Sequence, residues 1–101
     1  MAKKLLDGVI ATGAGTAQEV RVSKRTFQLV GSTSAGAGAA EVDIEVSNDG
    51  TNFFTLGTIT LVLGVTAVSD GFASDAPWEY VRGNVVSISG TDAEVTLWMG
   101  V

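Results

Sequence analysis

The chain has 101 residues, enough for one domain, and it carries a net charge of −5 with neither cysteine nor histidine. The missing residue types exclude disulfide staples, thiol nucleophiles, imidazole bases and the soft ligands of most zinc sites. Hydrophobic residues make up 46% of the sequence, which excludes a disordered chain, and no apolar run is long enough to cross a bilayer.

The first fifteen residues allow two interpretations. Two lysines and then two leucines stand near the start, and a glycine-rich stretch that could serve as a hinge closes the segment. We expect residues 1–15 to form an N-terminal arm that becomes ordered on a neighbouring molecule, with the β-domain at residues 16–101. The alternative is an ordinary first strand of that domain. The arm side chains expected to bind a partner are Lys3, Lys4, Leu5 and Leu6.

Charge is distributed unevenly along the chain. Residues 1–25 hold five cations against two acids, a net charge of +3, whereas the remainder holds one arginine against nine acids, a net charge of −8. An acidic body predicts that the protein does not bind nucleic acid, which requires a basic face. The basic quarter is either simply solvated or docks on an acidic neighbour.

Alternation of apolar and polar residues predicts strands along most of the chain and no helix. The pattern is clearest over residues 40–47, where Val42, Ile44 and Val46 alternate with three acids, so one face should be buried and the other solvated. Further strands are predicted at residues 17–22, 26–30, 53–56, 58–63, 65–68, 78–88 and 93–101. Segments 31–39 and 70–77, rich in small and turn-forming residues, are predicted to be loops, and residues 89–92 a turn.

The turn at residues 48–52 contains Asn48, Asp49 and Gly50, a strong hairpin signal. Its oxygen-bearing side chains also suit calcium, but the spacing and the bidentate glutamate of an EF-hand are missing, so we predict a structural turn and no metal. The acids at positions 41, 43 and 45 share the polar face of a strand, which indicates solvation rather than acid–base catalysis. We therefore predict a protein that is not an enzyme and holds no cofactor.

Seven or eight short antiparallel strands joined by turns predict a single all-β domain, a jelly-roll-like β-sandwich, with a small barrel as the alternative. Val42, Ile44, Val46, Val95 and Leu97 are the predicted core.

Two aromatic side chains are candidates for contacts with a partner. Phe53 and Phe54 are adjacent in a strand and must point to opposite faces, and Trp98 is in phase with polar Glu94 and Thr96. Phe54 and Trp98 are either partly shielded surface residues or subunit contacts, since aromatic residues are enriched in the cores of interfaces.

Three stretches carry a resemblance to a known class of proteins: VDIEVSNDGTNFFTL at residues 42–56, DGFASDAPWEYVR at 70–82 and ISGTDAEVTLWMG at 88–100. Together they resemble small virion proteins of tailed bacteriophages. The resemblance implies a structural protein of the virion, assembled in the bacterial cytoplasm: a capsid decoration (cement) protein that binds the outer capsid surface and stabilises it. It also implies that the partners are the major capsid protein and further copies of the chain, as a homotrimer.

Two other functions stay open. The turn after Ser47 and the segment 80–82 also resemble parts of discoidin-type carbohydrate-binding jelly rolls, in which Phe72 and Trp78 would serve as sugar platforms. That family is usually longer and often disulfide-tied, whereas this chain has no cysteine. The second alternative is a structural protein of the phage tail or baseplate.

Overall fold

A computed structural model describes residues 2–100, and strands are the regular structure found in that range. The strands are β1 (Ala2–Val9), β2 (Gly13–Ala14), β3 (Gln18–Glu19), β4 (Arg25–Ser32), β5 (Ala35–Ser47), β6 (Phe54–Leu63), β7 (Val68–Ser74), β8 (Tyr80–Thr91) and β9 (Glu94–Gly100). The all-β prediction is confirmed. Nothing in residues 2–100 forms a helix of the length and apolarity needed to span a membrane.

The strands form two antiparallel sheets packed face to face. The first sheet has the order β1-β9-β4-β7, and the second has the order β2-β8-β5-β6, with β3 also pairing with β8. Because β2 and β3 lie along the same side of β8, they are two halves of one interrupted strand. When β2 and β3 are counted as one strand, the domain has eight strands, four in each sheet, and their order is that of a jelly roll. The predicted jelly-roll-like sandwich is therefore confirmed.

The core lies between the two sheets and is built by the predicted alternation. The five predicted core residues, Val42, Ile44, Val46, Val95 and Leu97, are all completely buried. Their polar sequence neighbours point away from the opposite sheet, as the pleat of a strand requires. Phe27, Leu29, Met99, Val81 and Val85 complete the centre of the core.

In the structure the N-terminal segment is not an arm but an ordinary first strand of the domain. β1 pairs with β9 from Ala2, opposite Gly100, to Val9, opposite Val95, with irregularities in the register on both sides of Leu6. The irregular register allows the consecutive Leu5 and Leu6 both to point inward, and both are at least 95% buried. The domain therefore begins at β1 rather than at residue 16, and the two leucines pack in this chain's own core instead of on a partner.

Two predicted loops are strands in the structure. β5 starts at Ala35, where Gly38 allows β8 to approach so closely that a β-carbon there would lie 2.2 Å from the Ser89 carbonyl oxygen. β7 runs through Gly71, where a β-carbon would lie 2.0 Å from the Phe27 carbonyl oxygen. Small residues, taken as loop formers, here permit close strand pairing. The predicted strand at residues 17–22 is shorter in the structure, because only Gln18–Glu19 pairs with β8.

Candidate interaction surfaces

The structure brings two of the predicted contact residues together. Lys4 of β1 lies opposite Trp98 of β9, and its Nζ atom is 5.0 Å from the centroid of the indole ring. The same Nζ atom is 3.3 Å from a carboxylate oxygen of Asp7. On the other side of Trp98 lies Gln28 of β4. Half-buried Trp98 therefore forms, with an exposed cation and an amide, the centre of the outer face of the first sheet.

The remaining predicted contact residues lie elsewhere. Lys3 is exposed opposite Met99 and lines a separate groove with Glu19 and Arg21. Phe54 belongs to the second sheet, where 49% of its surface is exposed and its ring meets Trp78 edge-on at a centroid distance of 4.8 Å. The six predicted residues thus form one contacting pair, two isolated surface residues and two core residues.

Both proposed sugar platforms are half-buried, Phe72 in β7 and Trp78 in the loop before β8. Phe72 packs against Phe27 with ring centroids 5.2 Å apart, and Trp78 is partly buried against the core. Trp98 is half-buried as well, but it lies on the outer face of the first sheet beside Lys4 and Gln28, which makes it a further candidate for sugar stacking.

The outer face of the second sheet carries the acids of β5, and two of them, Asp43 and Glu45, are hydrogen-bonded to the neighbouring strands. Arg82 of β8 donates from Nε to Glu45 at 2.7 Å, and Asn84 donates to the other carboxylate oxygen at 3.2 Å. Arg82 also lies over the ring of Phe53, with its guanidinium carbon 4.0 Å from the centroid. Asp43 accepts a hydrogen bond from the Thr58 hydroxyl at 2.7 Å. These carboxylates serve to connect neighbouring strands, a role that sequence alternation could not reveal.

Asp49 organises the turn at residues 48–52. Its carboxylate accepts hydrogen bonds from the Ser47 hydroxyl and from the backbone N–H groups of Thr51 and Asn52, and the Asn52 side chain donates to the second oxygen. These donors, with the Asn52 side chain the largest contributor, hold the pKa of the Asp49 carboxyl well below its usual range. The loop is a turn closed by its own carboxylate. Within residues 2–100 no three acids, histidines or cysteines are grouped as metal ligands would be.

Sequence reasoning missed a buried arginine. Arg25 at the start of β4 is 98% buried and donates from Nε to the Val22 carbonyl oxygen at 3.0 Å and from Nη2 to that of Val20 at 3.5 Å. Burial lowers the pKa of Arg25. Its Nη1 atom has no hydrogen-bond partner among the described residues. Arg25 fastens the loop before β4 to the sheet beside an open groove of about 890 Å³ that Lys24 and Asp75 also line. A lone arginine in a weakly alternating segment carries no sequence signal of burial.

Large exposed apolar side chains gather where β5 begins and β6 ends. Val62 pairs with Ala39, Ala39 pairs with Ser89, and Ser89 lines a small groove with Ile10 that the acids Asp92 and Glu94 also line. The exposed fractions are 71% for Ile10, 78% for Val62, 64% for Val65 and 43% for Val86. These four residues define what we call the neutral end. The three chain segments that build most of it, residues 26–40, 53–69 and 83–91, contain no charged residue.

The surfaces described here offer shape, apolar contact and hydrogen bonds. The hydrogen-bonded carboxylates of β5 and of the Asp49 turn act within the fold. The neutral end and the face around Trp98 are the parts of residues 2–100 best suited to contact another molecule. Comparison of the chain with protein-family models, with curated proteins and with solved structures found no match.

Proposed function

We propose that the chain is a non-enzymatic structural protein of a bacteriophage particle, a decoration protein that binds the outer surface of the capsid and stabilises it. Support comes first from the sequence resemblance to small virion proteins. It comes also from the jelly-roll strand order, an architecture found both in viral capsid proteins and in lectins. Fold alone does not determine function, so the proposal depends on the surfaces.

The observation that carries the proposal is the neutral end. Three segments at this end carry no charged residue, and four large apolar side chains are exposed there, with the acids Asp92 and Glu94 beside Ile10. Each such side chain that a capsid surface covers completely would contribute about 1.5–3 kcal/mol to binding before the entropic cost of association. Such a surface suits a rigid, shape-matched contact with another protein. It offers little to a charged small-molecule substrate.

The partner would be the major capsid protein, bound mainly through the apolar side chains of the neutral end. Because the chain has a net charge of −5, copies bound at neighbouring sites would repel one another weakly, and this repulsion would be screened by salt. Binding through the neutral end therefore predicts a weak dependence on ionic strength. Attachment through Lys3 and Lys4 would instead weaken steeply as salt is added.

Co-sedimentation tests the proposal directly. Purified chain is mixed with heads of the phage that encodes it, prepared without the chain, and the bound fraction is measured against concentration. We expect saturable binding that Ile10→Asp weakens at least tenfold, because a carboxylate would be trapped in an apolar contact. Val22→Asp is the matched control, since Val22 is 44% exposed in the loop before β4, at the other end of the sandwich. Absence of binding by the unaltered chain would refute the proposal.

A tail or baseplate protein would use the same kind of surface. Mass spectrometry of separated heads and tails from purified particles decides between the two locations, since the chain should be recovered in one fraction only. Recovery with the tails would transfer the proposal from the capsid to the tail.

Carbohydrate binding is the second candidate, and the half-buried Trp98 between Lys4 and Gln28 is the observation that favours it. A sugar stacked on this indole would perturb its fluorescence. Titration with a panel of bacterial surface oligosaccharides, comparing the unaltered chain with Trp98→Ala, tests the idea. Binding that disappears in this variant, together with a failure to bind heads, would replace the capsid proposal.

A further inference from the structure

The sandwich exposes four strand edges, and three of them are protected against pairing with another molecule. β1 carries two lysines and an irregular register, and the outer strand along β8 is broken into β2 and β3. β7 has seven residues with Asp70 and Gly71 near its middle. Charges, bulges and short length are the devices by which natural proteins prevent edge-to-edge association.

The fourth edge, β6, has none of these protections over most of its length. It runs ten residues from Phe54 to Leu63 without a charged residue or a proline. After the register shift near Leu56, residues Gly57–Leu63 pair one to one with β5. Ile59, Leu61 and Leu63 point into the core, and Thr58, Thr60 and Val62 are exposed. Within residues 2–100 its hydrogen-bonded strand neighbour is β5, on one side only.

We propose that β6 pairs antiparallel with β6 of a second copy of the chain, about a two-fold axis at Thr60, so that the two second sheets join into one continuous sheet. A two-fold interface uses the same surface on both subunits, so a single unprotected edge is sufficient to form it. The inference stands on the edge alone and does not depend on the proposed function.

The regular part of β6 determines the register. The midpoint of Gly57–Leu63 is Thr60, so centring the axis there gives the longest unbroken overlap of the two strands. On the outer face Thr60 then meets its own copy and Thr58 meets Val62. On the inner face Ile59 meets Leu61, which continues the apolar layer across the junction. Pairs of β-branched residues, such as Thr60 with its own copy and Thr58 with Val62, are favourable neighbours in a sheet.

Charge does not oppose a second copy as the occupant, and β6 is complementary to its own copy. The acids of β5 lie one strand in from the edge, so the two acidic rows of a dimer would be three inter-strand spacings apart, about 14 Å. That separation exceeds the screening length of about 8 Å at physiological salt. Asp43 and Glu45 are in addition hydrogen-bonded to Thr58 and Arg82 within each chain. An acidic chain can therefore pair with itself at β6 at little electrostatic cost.

The first test changes the charge of the edge. Sedimentation equilibrium and light scattering on the full chain should give the mass of two chains, in contrast to the three that the phage resemblance implies. Thr60→Lys should weaken the dimer at least tenfold, because two ammonium groups would face each other across the axis. Ser69→Lys is the matched control, because Ser69 is exposed on β7, which is an edge strand of the first sheet. Its dimer should be unchanged.

A second test fixes the register. The chain has no cysteine, so Thr60→Cys introduces a unique thiol that should give a disulfide-linked dimer on mild oxidation, since cross-strand pairs have suitable geometry. Thr58→Cys, two residues from the axis, should stay uncrosslinked under the same conditions. A monomeric or trimeric native mass, insensitivity to Thr60→Lys, or equal crosslinking of the two cysteine variants would each overturn the proposal.

Discussion

Shortening Leu6 to alanine tests whether β1 belongs to the fold. Leu6 is 96% buried and fills the space between two glycines of the second sheet. A β-carbon built at Gly83 would lie 3.0 Å from its Cδ1 atom, and one built at Gly15 would lie 2.7 Å from its Cδ2 atom. Because glycines have no side chain to move into the vacated space, the cavity left by Leu6→Ala should collapse little. We expect a loss of about 3–5 kcal/mol in the free energy of unfolding.

Urea denaturation followed by tryptophan fluorescence measures this loss. A domain of this size has a total stability of about 5–15 kcal/mol, so this loss is a large fraction of it and the variant should unfold at a clearly lower urea concentration. Ile10→Ala is the matched control from the same segment, because Ile10 is 71% exposed, and its effect should stay within about 0.5 kcal/mol. A loss below about 1 kcal/mol for Leu6→Ala would show that β1 is a detachable arm after all.

Three further predictions follow from the packing and the turn. Gly83→Ala should destabilise the fold by about 1–3 kcal/mol in the same urea assay, because its β-carbon would lie 2.7 Å from Leu97 Cδ2 and crowd Leu6; unchanged stability would contradict the close packing there. The fold lowers the pKa of Asp49, so the contribution of its carboxylate to stability is fully present above the unfolded pKa of about 3.9. That contribution is lost as the pH falls from there through the lower pKa of the folded state. Asp49→Asn should therefore show a smaller acid-induced drop in melting temperature than the unaltered chain. Chelator and added calcium should both leave the melting temperature unchanged, and a rise of several degrees with calcium would identify a metal site in this turn.

Local alternation was sufficient where a strand is regular and half buried. The apolar positions of β5 and β9 predicted five core residues, all of which are completely buried, and the turn between β5 and β6 was predicted from Asn48 to Gly50. In these segments the period-2 pattern indicates an extended strand, and the turn residues indicate where the chain reverses. The all-β sandwich could therefore be predicted without knowledge of which strands pair.

The sequence was insufficient where tertiary contact overrides the local pattern. Leu5 and Leu6 break the alternation, and only the irregular register of β1 places both inside. Gly38 and Gly71 are typical of loops in sequence, whereas in the structure the close approach of a neighbouring strand's backbone requires a glycine at each position. Neither effect is encoded in a short window, because it depends on a partner strand distant in the chain.

The candidate surfaces were predicted even less completely. The exposure of Trp98 followed from its phase in β9, but its neighbours Lys4 and Gln28 come from two other strands. The neutral end collects residues from four separate segments, and its members look unremarkable one at a time. The missing protection of β6 became visible only when its position at the edge of a sheet was known.

The antiparallel pairing of β1 with β9 has a mechanical consequence. Ala2 lies directly opposite Gly100, so tension applied at these two residues pulls the strands apart from one end. The ladder then opens like a zip, one hydrogen bond at a time, whereas strands loaded in shear resist with many bonds at once. A pull on these two residues should unravel the domain at low force, with β1 released first.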